Sequence, residues 1–244
     1  LVVIDEQHRF GVLQRIALYR KGDIPDLLMM TATPIPRSLA LTLFGDLAVS
    51  TIRELTPGRV PVITHLAQEG KEEKVYDFVG KLLERGRQAY FVYPLIGESE
   101  KADLKSAQDM ASFLAGTRYP RHKVGLLHSR LPEDRKRLVM ESFVKGETAV
   151  LVSTTVVEVG VDVPNAAARV VEHAGRFGLS ALHQLRGRIG RGREQSYCFL
   201  VYSRGLTPDA VQRLKALYTT QDGFALAEED LKIRGPGELL GTAQ

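Results

Sequence analysis

The chain has 244 residues, of which 44% are hydrophobic and 25% charged, with a formal net charge of +4. That length suits one large domain or two modest ones with a real core, and no apolar run approaches the roughly 20 residues of a membrane-spanning helix. A single cysteine, Cys198 within the apolar run Tyr197 to Val201, excludes a disulfide framework and fits a reducing compartment; the mildly basic balance is compatible with nucleic acid without establishing it.

Leu1-Val2-Val3-Ile4 opens the chain in mid-pattern, without an initiator methionine or the charged region of a signal peptide, so the sequence reads as an excerpt of a longer polypeptide. Leu1 to Ile4 predicts a buried strand and Leu27 to Met30 a second. Thr56-Pro57-Gly58-Arg59 is turn chemistry and reads as a linker. Glu72 to Glu84 places Val75, Phe78, Val79, Leu82 and Leu83 on one helical face, with Gly86 as the stop. Ala89 to Ile96 and Val124 to Leu127 predict strands, and Pro132 opens a helix to about Phe143 with a charged outer face. Ala149 to Ser153, Arg169 to Val171 and Ser196 to Tyr202 are further strands, and Leu179 to about Arg188 is helical. Strands separated by helices predict βαβ units and a parallel sheet, in which ligands sit at the carboxyl ends of strands. Thr207 caps a helix with Pro208 at its first position. Val211, Leu214 and Tyr218 share a face of it, Gly223 ends it, and Phe224 to Ile233 forms a second helix, so a helical hairpin follows the α/β core.

Four short motifs carry chemistry. Asp5-Glu6 follows the first strand, and adjacent carboxylates there suit metal-assisted phosphoryl transfer, one holding Mg²⁺ and one orienting a water. Taken alone, the pair reads first as an exposed acidic turn, since so short a motif has many chance matches. Thr31-Ala32-Thr33-Pro34 follows the second strand and is alone only a turn signal. Ser153-Thr154-Thr155 leads to Gly160-Val161-Asp162, where glycine permits close backbone approach and aspartate can accept from a ribose hydroxyl, or where the chain simply turns. Gln184, Gly187, Arg188 and Arg191 put arginines three apart on one helical face, the arrangement that stabilises phosphoryl charge. Five arginines against one glutamate between His183 and Arg204 also fit a basic loop that binds nucleic acid loosely.

In order and spacing these pieces resemble the superfamily 2 helicases from motif II to motif VI. Within that superfamily the sequence is similar to the RecG type. Asp-Glu-Gln-His-Arg-Phe-Gly at Asp5 to Gly11, Thr-Ala-Thr-Pro-Ile-Pro-Arg at Thr31 to Arg37 and His-Gln-Leu-Arg-Gly-Arg-Ile-Gly-Arg-Gly at His183 to Gly192 carry the resemblance. Asp230 to Glu238 and the closing Gln244 look like the translocation motif shared with the transcription-repair coupling factors, from which Gln7-His8 and Pro236 distinguish this chain.

The resemblance implies an α/β fold: the end of a first RecA-like parallel-sheet domain (residues 1–57), a complete second one (58–205) and a helical-hairpin translocation motif (206–244). It implies ATP and Mg²⁺ as cofactors, with ATP between the two RecA-like domains. Asp5 would coordinate the metal and Glu6 position the hydrolytic water, while Arg188 and Arg191 would be arginine fingers. Gly160, Asp162 and Gln184 would touch the nucleotide, and His8, Thr31 and Thr33 would couple its state to DNA. Arg213, Arg234 and Gln244 match the hairpin residues that turn domain closure into movement on duplex DNA. From Leu206 onward the hairpin has four basic and six acidic residues, which argues for a lever with selected contacts over a bulk phosphate clamp.

The implied partners are duplex and branched DNA, forks and Holliday junctions included, and the single-stranded DNA-binding protein. The resemblance further implies a monomer in the bacterial cytoplasm at the nucleoid, with no membrane association. No Gly-x-x-x-x-Gly-Lys-[Ser/Thr] loop occurs in the sequence. The chain by itself is therefore expected to hydrolyse no ATP, and a truncated first domain would expose a sheet edge. Two other readings stay open: a coupling-factor type of duplex translocase, and a module that binds nucleic acid weakly.

Overall fold

The computed structural model describes residues 1–5, 26–31, 48–52, 60–94, 100–154, 163–190, 192 and 194–235, with backbone alone for 100–103 and 234. The chain forms two compact units, Leu1–Ala48 with Asp222–Gln244, and Val49–Gln221.

In the smaller unit, β1 (Val2–Asp5) and β2 (Leu27–Met30) pair in parallel, with Asp5 opposite Met30. Ile4 is buried, whereas Val3, Leu28 and Met30 are exposed. The helix α6 (Gly223–Arg234) belongs to the same unit and buries Leu226 and Asp230, four residues apart on one face.

The larger unit is a six-stranded parallel sheet. Its strands are β3 (Ile63–Gln68), β4 (Gln88–Tyr93), β5 (Val124–Leu127), β6 (Val150–Thr154), β7 (Ala166–Val171) and β8 (Tyr197–Tyr202), in the order β3-β8-β7-β4-β6-β5. Parallel neighbours need crossovers, and helices supply them. The helix α1 (Glu72–Glu84) joins β3 to β4, and α2 (Glu100–Phe113) with a π turn over Leu114–Arg118 joins β4 to β5. The helix α3 (Glu133–Val144) joins β5 to β6, α4 (Leu179–Gly187) joins β7 to β8, and α5 (Pro208–Thr219) follows β8 and packs on α4 and β3. β4, β6 and β7 are buried along their whole length, which is why they read as apolar runs instead of alternating ones. Phe91, Val152, Val170 and Val79 meet in that core.

The parallel α/β class expected from the sequence is the class observed. Several local expectations need correction. The strand read as Ala89 to Ile96 runs over Gln88–Tyr93, and Ile96 lies outside the described residues. β7 begins at Ala166, ahead of the expected Arg169: Ala166 and Ala168 pair with Gln88 and Ala89 of β4 across a register shift, and Ala168 also pairs with Tyr197 of β8. Tyr76 joins the buried face of α1, where Phe78 is only partly covered. On α5 the covered positions are Ala210, Leu214, Ala216 and Leu217; Val211 and Tyr218 face solvent. Gly223 does not end α5, which closes at Thr219; it is the first residue of α6, behind Asp222, whose carboxylate accepts from the Phe224 amide at 2.8 Å. The cap at Thr207 is as expected, accepting from the Ala210 amide at 3.3 Å. Neither β3 nor α2 was expected. β3 mixes Thr, His and Gln at an open sheet edge, and α2 is polar with a weak apolar stripe.

Candidate functional site

Asp5 closes β1 and Thr31 follows β2, so the parallel register brings the first residues of the acidic and Thr-Ala-Thr motifs to the carboxyl ends of neighbouring strands. Both residues are exposed. An exposed carboxylate at such an edge is an oxygen donor of the kind Mg²⁺ takes together with nucleotide phosphates, so the position fits that ion. Among the described residues no group of three or more His, Cys, Asp or Glu could cage a metal by itself. Glu6, His8, Thr33, Gly160, Asp162, Arg191 and Gln244 lie outside the described residues. β6 ends at Thr154, directly ahead of the stretch that holds Gly160 and Asp162.

Motif VI forms α4. Gln184 and Arg188, four residues apart, share a helical face and are half-buried, Arg188 as the C-cap. The opposite stripe, Leu179, Leu182 and Arg186, is buried. Arg186 therefore carries a guanidinium into the core, and burial pushes its pKa down. Its Nη1 donates to the carbonyls of Leu217 at 2.6 Å and Thr220 at 2.9 Å, at the carboxyl end of α5. Unsatisfied carbonyls and the negative end of a helix dipole gather there, which suits a cation. Arg169 on β7 braces α4 from the other side: its Nη1 donates to the Leu185 carbonyl, and its guanidinium lies 4.5 Å over the Tyr90 ring. Cys198, fully buried beside these arginines, has its thiol pushed up to about 11 by burial and is a core residue.

Arg213 on α5 donates from Nη2 to the Gly175 carbonyl at 3.2 Å and so holds the connection that leads into α4. Of Arg234, only its place at the end of α6 is described. Arg186, Arg169 and Glu172, the last a buried carboxyl just after β7, were not singled out from the sequence. Arg186 had a legible signal, a cation in the apolar i, i+3, i+7 stripe of its helix. His128, buried after β5 with its pKa lowered by burial and by Lys136 and Arg130, had none.

Gly190, two residues after Arg188, takes a left-handed backbone conformation. Its φ is +74°, and an added Cβ would stand 2.7 Å from Val62 Cγ2. Gly190→Ala is expected to cost about 3 kcal/mol, from the left-handed backbone and the overpacking together. Urea unfolding of the full-length protein measures it; an unchanged midpoint would show that the turn relaxes freely.

Residues 70–193 match the helicase conserved C-terminal domain, and the chain belongs to that family. Within it, the likeness is to RecG. The chain is 55% identical to the ATP-dependent DNA helicase RecG of Treponema pallidum over 99% of its length, and 52% identical to that of Thermotoga maritima over 100%. It spans 36% and 31% of those two proteins. A structure of RecG bound to a three-way DNA junction superposes with a TM-score of 0.77 at 48% identity, over 98% of this chain and 30% of that one. The S. cerevisiae protein Dbp5, at 17% identity and TM-score 0.59, shares the fold. No helix among the described residues is long and apolar enough to cross a membrane.

Proposed function

We propose that the full-length protein is an ATP-driven DNA helicase that remodels branched DNA, reversing stalled forks and migrating Holliday junctions in repair and recombination. The observation that carries this reading is the grip of Arg186 on the carboxyl end of α5. It joins the helix bearing Gln184 and Arg188 to the start of the hairpin, whose second helix is capped two residues beyond Thr220. A motor needs such a joint between its nucleotide-sensing arginines and its DNA lever. The likeness to RecG over the whole chain supports the same reading.

In this proposal residues 1–57 end a first RecA-like domain, 58–205 form the second and 206–244 are the translocation hairpin. Asp5 holds Mg²⁺, which supplies charge neutralisation at the phosphates when bound. Glu6 orients the attacking water. Gln184, Gly160 and Asp162 bind the nucleotide, and Arg188 and Arg191 stabilise the charge that develops on the transferring phosphoryl group. His8, Thr31 and Thr33 link nucleotide state to DNA, and Arg213, Arg234 and Gln244 work the lever. The protein acts as a monomer at the bacterial nucleoid, with single-stranded DNA-binding protein as a partner.

The test is hydrolysis and strand separation by the full-length protein on a three-way junction and on linear duplex of equal length. The junction is expected to stimulate ATP hydrolysis more strongly and to be unwound. Equal stimulation by both, with the junction left intact, would sink the proposal.

A further inference from the structure

Glu172 follows β7 and is buried, and no lysine or arginine among the described residues pairs with it. Its Oε1 accepts from Tyr76 Oη of α1 at 3.0 Å, and its amide donates to the Val92 carbonyl at 2.9 Å, extending the ladder between β7 and β4. The next residue, His173, is the one non-glycine residue with positive φ among those described, at +50°, and its ring meets Tyr93 edge-on at 6.2 Å. A 3-10 turn over Ala174–Arg176 follows, tied by the Arg176 amide to the His173 carbonyl at 2.9 Å, and Gly178 then caps α4. Ala174 and Phe177 are buried, so this connection is packed as well as short. A displacement of Glu172 is passed to the amino end of α4 with little slack to absorb it.

We infer that the buried Glu172 carboxyl, seated neutral against Tyr76, is a clasp that positions α4, and with it Gln184 and Arg188, and that this seat loosens when Glu172 loses its proton. Glu172 is a positioning residue acting through α4, and the inference rests on reading α4 as the helix that serves the nucleotide. The groups facing its carboxyl are Tyr76 and Glu72 of α1 and Tyr93 of β4, with His173 next to it in the chain. None of the neighbours on α1 or β4 is cationic. Burial pushes the carboxyl up to about 7; the Tyr76 hydrogen bond opposes this and the charge of Glu72 adds to it. Burial also holds the Tyr76 and Tyr93 phenols far above their usual range, so both stay neutral donors.

A neutral carboxyl sits in this pocket at little cost, whereas a carboxylate with one phenol for a partner is under-solvated. The sign follows from linkage. The folded value lies above the unfolded one of 4.5, so the contribution to stability is full below pH 4.5 and is lost as pH rises to about 7.

The full-length protein, Glu172→Gln and Tyr76→Phe are compared from pH 5.5 to 8.5 by junction-stimulated kcat and by thermal midpoint. Wild-type kcat is expected to fall by up to about a hundredfold as pH rises through 7, the scale of a 1 Å misplacement of a catalytic group. The midpoint falls from the acid end of that range and levels off above about pH 7. Glu172→Gln, a neutral isostere, keeps both near their acid-side values. Tyr76→Phe moves the fall to higher pH, because the lost phenol bond favoured the carboxylate. A Glu172→Gln profile that tracks wild type overturns the clasp. One that flattens the midpoint but leaves the kcat profile unchanged overturns the positioning of α4. A wild-type protein that hydrolyses nothing fails the helicase reading instead, and an unchanged midpoint profile in Glu172→Gln would then overturn the clasp by itself.

Discussion

Arg188→Ala in the full-length protein is expected to lower DNA-stimulated ATP hydrolysis by about three orders of magnitude, the low end of what an arginine aimed at a transferring phosphoryl group contributes. The geometry makes the prediction specific to this side chain. Arg188 caps α4 on the face it shares with Gln184, while the other face of the helix is fixed from within by Arg186 and Arg169. The guanidinium thus stands on a braced support, and a preorganised charge stabilises a transition state without reorganisation cost at the moment of reaction. Removing it should leave nucleotide affinity within about tenfold of wild type, since the loss falls on the transition state. Arg188→Lys should recover little, because an ammonium lacks the planar fork that meets two phosphate oxygens. Steady-state hydrolysis with junction DNA, beside equilibrium binding of a fluorescent nucleotide, measures both terms. Hydrolysis within a few-fold of wild type would remove Arg188 from the reaction.

How far the sequence carried these conclusions depended on the physics of each element. Glu72–Glu84 was legible to the residue, because Val75, Val79, Leu82 and Leu83 repeat at helical spacing and Gly86 takes the left-handed turn that ends the helix. Leu27–Met30 and Val124–Leu127 were legible as short apolar runs of strand length, although Leu28 and Met30 are exposed and only Leu127 of the second is fully buried. β3 was not, since an edge strand with one open side needs no such run. The small unit's strands read correctly, yet the exposure of Val3, Leu28 and Met30 could not be inferred from an apolar tetrapeptide. At the site, local spacing placed Gln184 and Arg188 on one face. What it could not supply was depth. Glu172 and Tyr76 meet across 96 positions, and the Arg186 grip on Thr220 spans 34. Such partners are set by sheet order, β7 beside β4 and α5 against α4, and that order is not written in any window of the sequence.

Arg186→Ala separates the two halves of the proposed motor. In the wild-type fold its Nη1 serves the Leu217 and Thr220 carbonyls together, and hydrogen bonds to a buried cation are worth about 1.5–3 kcal/mol each. Alanine leaves both carbonyls without that donor and opens the contact between α4 and α5. Arg188 is on the other face of α4 and keeps its support from Arg169, so hydrolysis should fall only a few-fold. The carboxyl end of α5 leads within two residues to the cap of α6, and it loses the tie through which α4 can pull it. Junction unwinding per ATP consumed should then drop by at least about tenfold, which requires only that about 1.4 kcal/mol of coupling be lost. Arg186→Lys keeps the charge and the donors but places them on a shorter, more flexible stem whose burial as an ammonium costs more, and should fall between the two. Global destabilisation would lower hydrolysis and unwinding in parallel, so the ratio of base pairs separated to ATP hydrolysed is the decisive quantity. A ratio unchanged in both variants would reduce Arg186 to a structural tie between α4 and α5, and the lever would have to be driven from elsewhere in the larger unit.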